Sequence, residues 1–279
     1  MTMSESMHPT EHNRSKYFVI KCGGSILDQL PDEFYKDLIK LKSYDIYPVL
    51  VHGGGPEISH MLQKLSIETA FVDGLRVTTD QMVDTVEMVL SGKINKQLVR
   101  NIHCAGGKAI GISGVDGGMF RCKQTDQALG RVGEVTHVDR SLIEQLSISG
   151  YIPVISPISM DEYGKSLNIN GDEAASAVAQ SLLAEICLVS DIPGIYKEIN
   201  GEKVVFRSLD EIRITKLIEE GTISGGMIPK VKGAVAALSD QVSSVIILDG
   251  REKNALQKAV SNEQIGTRIV RKELTNVTN

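Results

Sequence analysis

Four glycine-flanked segments carry the residues that could do chemistry. In VIKCGGS (19–25), Lys21 closes a β-rich run and Gly23-Gly24-Ser25 follow at once. Glycines let backbone N–H groups approach an anion closely, although the spacing also fits a plain strand-to-helix turn with a solvated lysine. In VLVHGGGPE (49–57), three glycines join a buried strand to a helix that carries Pro56 near its start, where proline is favoured. The free N–H groups and the helix dipole there make an anion site. His52 reads as a hydrogen-bonded structural histidine rather than a catalyst. In LNINGDEAAS (167–176), Asn170 and Glu173 have the spacing of a capping box. Asp172 falls in the first helical turn, a place the dipole already explains, and Asn168 lies just before it, free to face a ligand. In SGGMIPKVKGAVAAL (224–238), Pro229 starts a helix, so Lys230 falls in its first turn. A cation there opposes the dipole at a cost of about 0.3 kcal/mol or more. A local rule broken without visible compensation points to a functional site, and an arriving polyphosphate would repair the electrostatics.

Two lysines and several glycine nests imply a ligand with multiple negative charges. Several common chemistries are excluded by missing motifs. No GxxxxGK[ST] is present, no GxGxxG follows the early strands, and HRD, DFG, HExxH and GxSxG are all absent. No Cys/His cluster has metal-ligand spacing, so no metal site is expected in the protein itself.

The elements that must position these residues alternate along the chain. Strands are expected at 17–21, 47–51, 152–155, 186–189 and 245–248. Helices are expected at 31–44, 56–65, 80–90, 139–148, 171–183, 209–219, 229–240 and 252–259. Continuous apolar strands between amphipathic helices predict an α/β fold, an open and mostly parallel sheet covered on both faces, in which ligands sit at the carboxyl ends of the strands. The stretches 66–78, 115–138 and 156–169 mix Thr, Val, Gly and charges with weak alternation, which predicts hairpins projecting from the sheet. A composition shift near 190–200 marks a junction between two lobes. Residues 1–16 are polar and expected to be disordered.

The 279 residues suit one large domain or two lobes. Hydrophobic residues make up 42% and charged residues 23%, the range of folded globular proteins rather than disordered ones. The 26 glycines exceed the usual ~7%, and eleven of them stand in five runs, so they punctuate a folded chain. A net charge of −5 without a basic stripe, and only 12 aromatic residues, argue against a nucleic-acid partner. No apolar stretch approaches the ~18 residues of a membrane span, and the N-terminus has no apolar signal region. Cys22, Cys104, Cys122 and Cys187 are widely spaced. They read as buried free thiols of a cytoplasmic protein.

Taken together the segments resemble the amino acid kinase superfamily, and within it the acetylglutamate kinases of bacterial arginine biosynthesis. The likeness runs from Tyr17 to about Arg271 through KCGGS (21–25), VHGGGPEI (51–58), GLRVTT (74–79), MVLSGKINK (88–96), GISGVDGG (111–118), LNINGD (167–172), SDIPGIY (190–196) and SGGMIPKV (224–231), in the family's order. The resemblance implies a three-layer αβα sandwich with an acceptor-binding lobe over about 17–190 and a nucleotide-binding lobe over about 191–279. It implies ATP, with Mg²⁺ held mainly by the nucleotide phosphates, and phosphorylation of the γ-carboxylate of N-acetyl-L-glutamate. Lys21 and Lys230 match the two catalytic lysines, and Asp172 the aspartate that positions them. Gly54 and Gly55 match backbone donors at the reacting carboxylate. Arg76 matches the arginine for the substrate's α-carboxylate, with Asn168 beside it. Gly23 and Gly24 match the turn under the phosphates. Asp191, Ile192, Pro193, Gly194, Ile195 and Tyr196, with Thr222, Ile223 and Ser224, match the nucleotide-binding segments.

The sequence departs from the family at Gly171, where relatives often have alanine, and at Cys22, which varies among relatives. Arginine-inhibited relatives carry an amphipathic N-terminal helix that joins dimers into a hexamer. Residues 1–16 show no such stripe, so a homodimer insensitive to arginine is expected. No feature speaks for or against a nitrogen-regulatory partner. Two alternatives share the fold: a sister kinase acting on another carboxylate or carbamate, and a non-catalytic amino-acid sensor. Retention of Lys21, Asp172 and Lys230 together argues against the sensor.

Overall fold

Apolar residues alternate between two cores along the first strand, and that alternation sets the architecture. The structure is a computed structural model that describes residues 16–199, 201–261 and 263–271. All of the N-terminal segment expected to be disordered except Lys16 lies outside the described residues. Sixteen strands and nine α-helices are found among the described residues. Eight strands form the main sheet: β1 (Tyr17–Cys22), β2 (Tyr47–His52), β5 (Ala109–Ser113), β8 (Ile152–Ser156), β11 (Glu185–Ser190), β14 (Ser208–Asp210), β15 (Ser244–Asp249) and β16 (Thr267–Val270). Their order is β14-β16-β15-β11-β1-β2-β8-β5. Six of the strands are parallel, and β16 with β14 runs against them at one edge.

In β1, Phe18, Ile20 and Cys22 enter one core and Val19 the other. The first core is closed by α1 (Asp32–Lys40), α2 (Gly55–Lys64), α3 (Asp80–Glu87), α4 (Asn95–Cys104) and α9 (Ala255–Val260), through residues such as Leu38, Leu62, Val86, Ile102 and Leu256. The second is closed by α5 (Ser141–Ile148), α6 (Gly171–Leu182), α7 (Glu211–Glu219) and α8 (Met227–Ala237), through Ile143, Val178, Leu217 and Val231. A strand buried on both faces stabilises by about 1.5–3 kcal/mol per large apolar side chain, which is why its sequence reads as an unbroken apolar run. The three-layer arrangement expected from the sequence is thus observed.

The expected hairpins are also present. β3 (Phe71–Val72) pairs antiparallel with β4 (Leu75–Arg76). A second sheet of β6 (Phe120–Gln124), β7 (Val132–Val138), β9 (Ile158–Met160) and β10 (Ser166–Ile169) has the order β6-β7-β10-β9. Near the proposed lobe junction, β12 (Tyr196–Ile199) and β13 (Glu202–Val205) form a two-stranded ribbon.

Three details differ from expectation. Strands β5, β14 and β16 have no counterpart among the expected strands; in β5, Gly111 breaks the apolar run. The helix expected at 80–90 continues through a π-helical stretch, Met88–Ile94, into α4. Ser91-Gly92 and the polar residues of 93–97 hide that continuity in the sequence, and π turns are frequent at functional sites. The helix expected at 31–44 is α-helical only to Lys40 and closes with a 3₁₀ turn over Leu41–Tyr44.

Candidate active site

The carboxyl ends of β1, β2 and β11 meet where the chain leaves the sheet centre in two directions, the place where open α/β sheets bind ligands. Lys21 lies near the end of β1 and its Nζ is 2.8 Å from Oδ1 of Asp172. Asp172 sits in the first turn of α6, whose N-cap is Asn170. The Asn170 Oδ1 accepts from Asp172 N–H at 2.8 Å and Glu173 N–H at 3.2 Å. The second half of the expected capping box does not form. Glu173 instead accepts the Val135 N–H at 2.8 Å, tying α6 to β7, and burial pushes its carboxyl pKa up.

The three glycines after β2 pack tightly against the turn after β1. A Cβ on Gly24 would stand 2.9 Å from Pro56 Cδ and 3.0 Å from both Cα and N of Gly54. Only two bare backbones fit so closely, and this places Gly54 and Gly55, at the start of α2, beside Lys21. His52 is fully buried, as expected of a structural histidine, and burial lowers its pKa to about 4.

Arg76, on β4, is almost fully buried. Its Nη2 donates to Gly55 O at 3.0 Å and to Ser59 Oγ at 2.7 Å, and its guanidinium stacks 4.7 Å over the Phe71 ring. Its Nη1 is buried without a partner among the described residues, and desolvation draws the arginine pKa down. A buried cationic nitrogen with unpaired N–H donors suits the geometry of a carboxylate. Asn168, on β10, donates from Nδ2 to Thr78 Oγ1 at 3.0 Å.

These residues line one cavity of about 460 Å³. Lys21, Gly23, Gly24, Gly54, Gly55, Arg76, Asn168, Asp172 and Lys230 all border it. A neighbouring cavity of about 780 Å³ is bordered by Ile192, Tyr196, Thr222 and Ser224, and again by Lys230. Lys230, in the first turn of α8, is thus the cation on the wall between the two.

Not every expected residue stands as its motif suggested. Lys230 does not pair with Asp172 but with Asp191, whose carboxyl this hydrogen bond holds below the usual carboxylate range. Ile195 and Ile223 are buried in the second core, so their side chains cannot line a ligand cavity. Gly194 has φ +136°, and a Cβ there would meet Thr267 Oγ1 at 2.7 Å. It lets the 190–196 segment close onto β16. Pro193 lies within that segment, half-buried, and borders neither cavity. The sequence reading missed Phe71, Leu90, Val132 and Pro157, all on the first cavity's wall. Only the break at Ser91-Gly92 hinted at Leu90. Of the cysteines, Cys22 and Cys187 are buried, Cys122 is partly so, and Cys104 is exposed, which corrects the expectation of four buried thiols. Burial pushes the Cys22 thiol up to about 12. Among the described residues, no group of three His, Cys, Asp or Glu side chains could hold a metal ion.

A model of the amino acid kinase family matches residues 16–249. The chain belongs to that family. It is 44% identical over 261 residues to the acetylglutamate kinase of Oceanobacillus iheyensis, covering 93% of this chain and 98% of the relative. It is 43% identical over 277 residues to the acetylglutamate kinase of Clostridioides difficile, covering 98% and 96%. Among solved structures, a Streptococcus mutans protein superposes with a TM-score of 0.78 at 26% identity, covering 92% of this chain and 99% of that one. The carbamate kinase of Giardia lamblia bound to AMP-PNP superposes with a TM-score of 0.66 at 17% identity, covering 92% and 99%, a likeness of fold. No helix among the described residues is long and apolar enough to cross a membrane.

Proposed function

We propose that this protein is a kinase that transfers the γ-phosphoryl group of ATP to the γ-carboxylate of N-acetyl-L-glutamate, a step of arginine biosynthesis. The observation that carries this reading is Lys230 on the shared wall of two cavities, with Lys21 in the acceptor cavity. The acetylglutamate kinases at 43–44% identity over nearly the whole chain support the choice of acceptor.

The residues fit the demands of the reaction. A side-chain carboxylate has a reference pKa near ~4.3, so the acceptor is ionised at neutral pH and needs no base. The difficulty is to bring two anions together, and phosphoryl transfer is mostly positioning and charge neutralisation. Lys21 and Lys230 supply the charge. Gly54 and Gly55 offer N–H groups at the start of α2, where the helix dipole favours an anion. Arg76 Nη1 takes the α-carboxylate, with Asn168 beside it. The adenine nucleotide occupies the cavity bordered by Ile192, Tyr196, Thr222 and Ser224, and the 191–196 and 222–224 segments embrace it. Its phosphates reach past Lys230 toward Gly23 and Gly24. Both carboxylates at the site, Asp172 and Asp191, are engaged by lysines. That donor set suits a Mg²⁺ held mainly by the nucleotide phosphates, where it would neutralise phosphate charge. The acceptor-binding lobe then runs over about 17–190 and the nucleotide-binding lobe from about 191 onward.

The test is formation of an acyl phosphate trapped with hydroxylamine, with ATP and Mg²⁺, across a panel of acids. Product with N-acetylglutamate is expected. Product only with aspartate or carbamate would move the protein to a sister activity, and no turnover would favour a sensor. The lack of an apolar stripe in residues 1–16 supports a homodimer that arginine does not inhibit, and the widely spaced cysteines support a cytoplasmic place. A hexamer by light scattering, or inhibition at millimolar arginine, would overturn that.

A further inference from the structure

His52 is fully buried behind the glycine turn and touches neither cavity. Its surroundings leave it one arrangement of protons. Asn95, also fully buried, donates from Nδ2 to Val154 O at 2.8 Å, and its Oδ1 accepts from Lys96 Nζ at 3.0 Å. Both ends of the amide are thereby fixed. The Nδ2 is also 3.3 Å from His52 Nε2 and 3.4 Å from Ile112 O, so its second N–H faces these two acceptors and a donor on Nε2 would oppose it. Nε2 must then accept, and the single proton of a neutral imidazole must sit on Nδ1. Nδ1 is 2.9 Å from Gly53 O and donates to it. Burial keeps the ring neutral and so keeps Nε2 an acceptor.

The consequence reaches the cavity through peptide geometry. A trans peptide is planar, and its C=O and N–H point in opposite directions. With Gly53 C=O held toward the imidazole, Gly54 N–H must point away from it, and Gly54 borders the same cavity as Lys21. Two consecutive glycines would otherwise let this peptide turn over easily. The relay even explains a distant glycine: a Cβ on Gly111 would stand 1.8 Å from Asn95 Oδ1 and evict the amide.

We infer that His52 is a positioning residue for the reaction, held by Asn95 in its Nδ1–H tautomer so that the Gly54 N–H is aimed at the transferring phosphoryl group or its acceptor oxygen. This rests on the proposed kinase reading, but its first test does not. Imidazole ¹⁵N spectra of the full-length protein are expected to show His52 protonated at Nδ1 and bare at Nε2. A proton on Nε2 instead would overturn the inference, whatever the substrate proves to be. The second test compares two variants by hydroxylamine-trapped turnover. In His52→Asn the amide nitrogen falls near the position of Nδ1 and can still donate to Gly53 O. In His52→Leu nothing can. Loss of one such donor costs about 100-fold in rate. His52→Leu is therefore expected to lose about that much kcat with KM for ATP within about threefold, while His52→Asn stays within about fivefold of the parent. Equal loss of kcat in the two, or an unimpaired His52→Leu, would refute the positioning role. Should His52→Leu not fold, the tautomer in the parent protein still decides.

Discussion

Placing a methyl group on Gly24 or on Gly54 should have consequences opposite to what bare distances suggest. The added carbon on Gly54 would come within 2.4 Å of Ile94 Cδ1 and 2.7 Å of Leu90 Cδ2, the shorter contacts of the two sites. Those atoms are the tips of flexible side chains, and rotamer changes can relieve them. The carbon on Gly24 meets Pro56 Cδ at 2.9 Å and the Gly54 backbone at 3.0 Å, and none of these atoms can rotate away. Ordinary carbon contacts lie at ~3.5–4.0 Å, so the two turns must part by roughly half an ångström. Overpacking of this kind costs about 1–3 kcal/mol, or a Tm lower by roughly 2–10 °C for a chain of this size. The same shift displaces the Gly54 N–H from the reacting centre. A 1 Å misplacement costs about 100-fold in rate, so half of it should cost about tenfold in kcat. Gly54→Ala should lose less Tm, and its main effect should be a raised KM for the acceptor, because Leu90 borders that cavity. Thermal melts and hydroxylamine-trapped initial rates on both variants check this. A larger Tm loss in Gly54→Ala, or parental kcat in Gly24→Ala, would show that the turns are not the rigid contact described.

Lys230→Ala should collapse kcat while N-acetylglutamate binding, followed by calorimetry, changes little; an intact kcat would remove Lys230 from the phosphoryl path. Arg76→Gln, which keeps much of the volume but no charge, should raise KM for N-acetylglutamate at least tenfold and leave KM for ATP within about twofold. The pH dependence of stability should carry the mark of His52. Its folded pKa of about 4 lies below the ordinary 6.5, so the unfolded chain binds the proton more readily. Its contribution is complete above pH 6.5 and is lost as pH falls toward 4, by about 3 kcal/mol. Urea melts at pH 7 and pH 4.5 should show a smaller difference in His52→Leu than in the parent, and an equal difference would contradict the buried neutral ring.

Spacing and residue type alone marked the site's two lysines and its turns, while Arg76 came only with the family resemblance. Lys21 before two glycines, three glycines before Pro56, and Lys230 in the unfavourable first turn of a helix are local violations or local permissions, and local physics is legible in sequence. The alternation of Phe18, Val19 and Ile20 between two cores is likewise written in the order of residues, which is why the parallel sheet and its covered faces could be foreseen. Strand β5 and helix α4 were hidden, because Gly111 and Gly92 weaken the periodic signal. Gly111 is needed because Asn95 fills the space beside it. The partner of Lys230 was likewise a tertiary matter, since Asp172 and Asp191 both end up near the site and only the placement of α8, packed against β15 and α6, selects Asp191. The tautomer of His52 depends on a chain of bonds from Val154 through Asn95, residues 59 positions apart. Sequence determined which groups the site contains; their directions and pairings arose from contacts between distant segments, which no local pattern encodes.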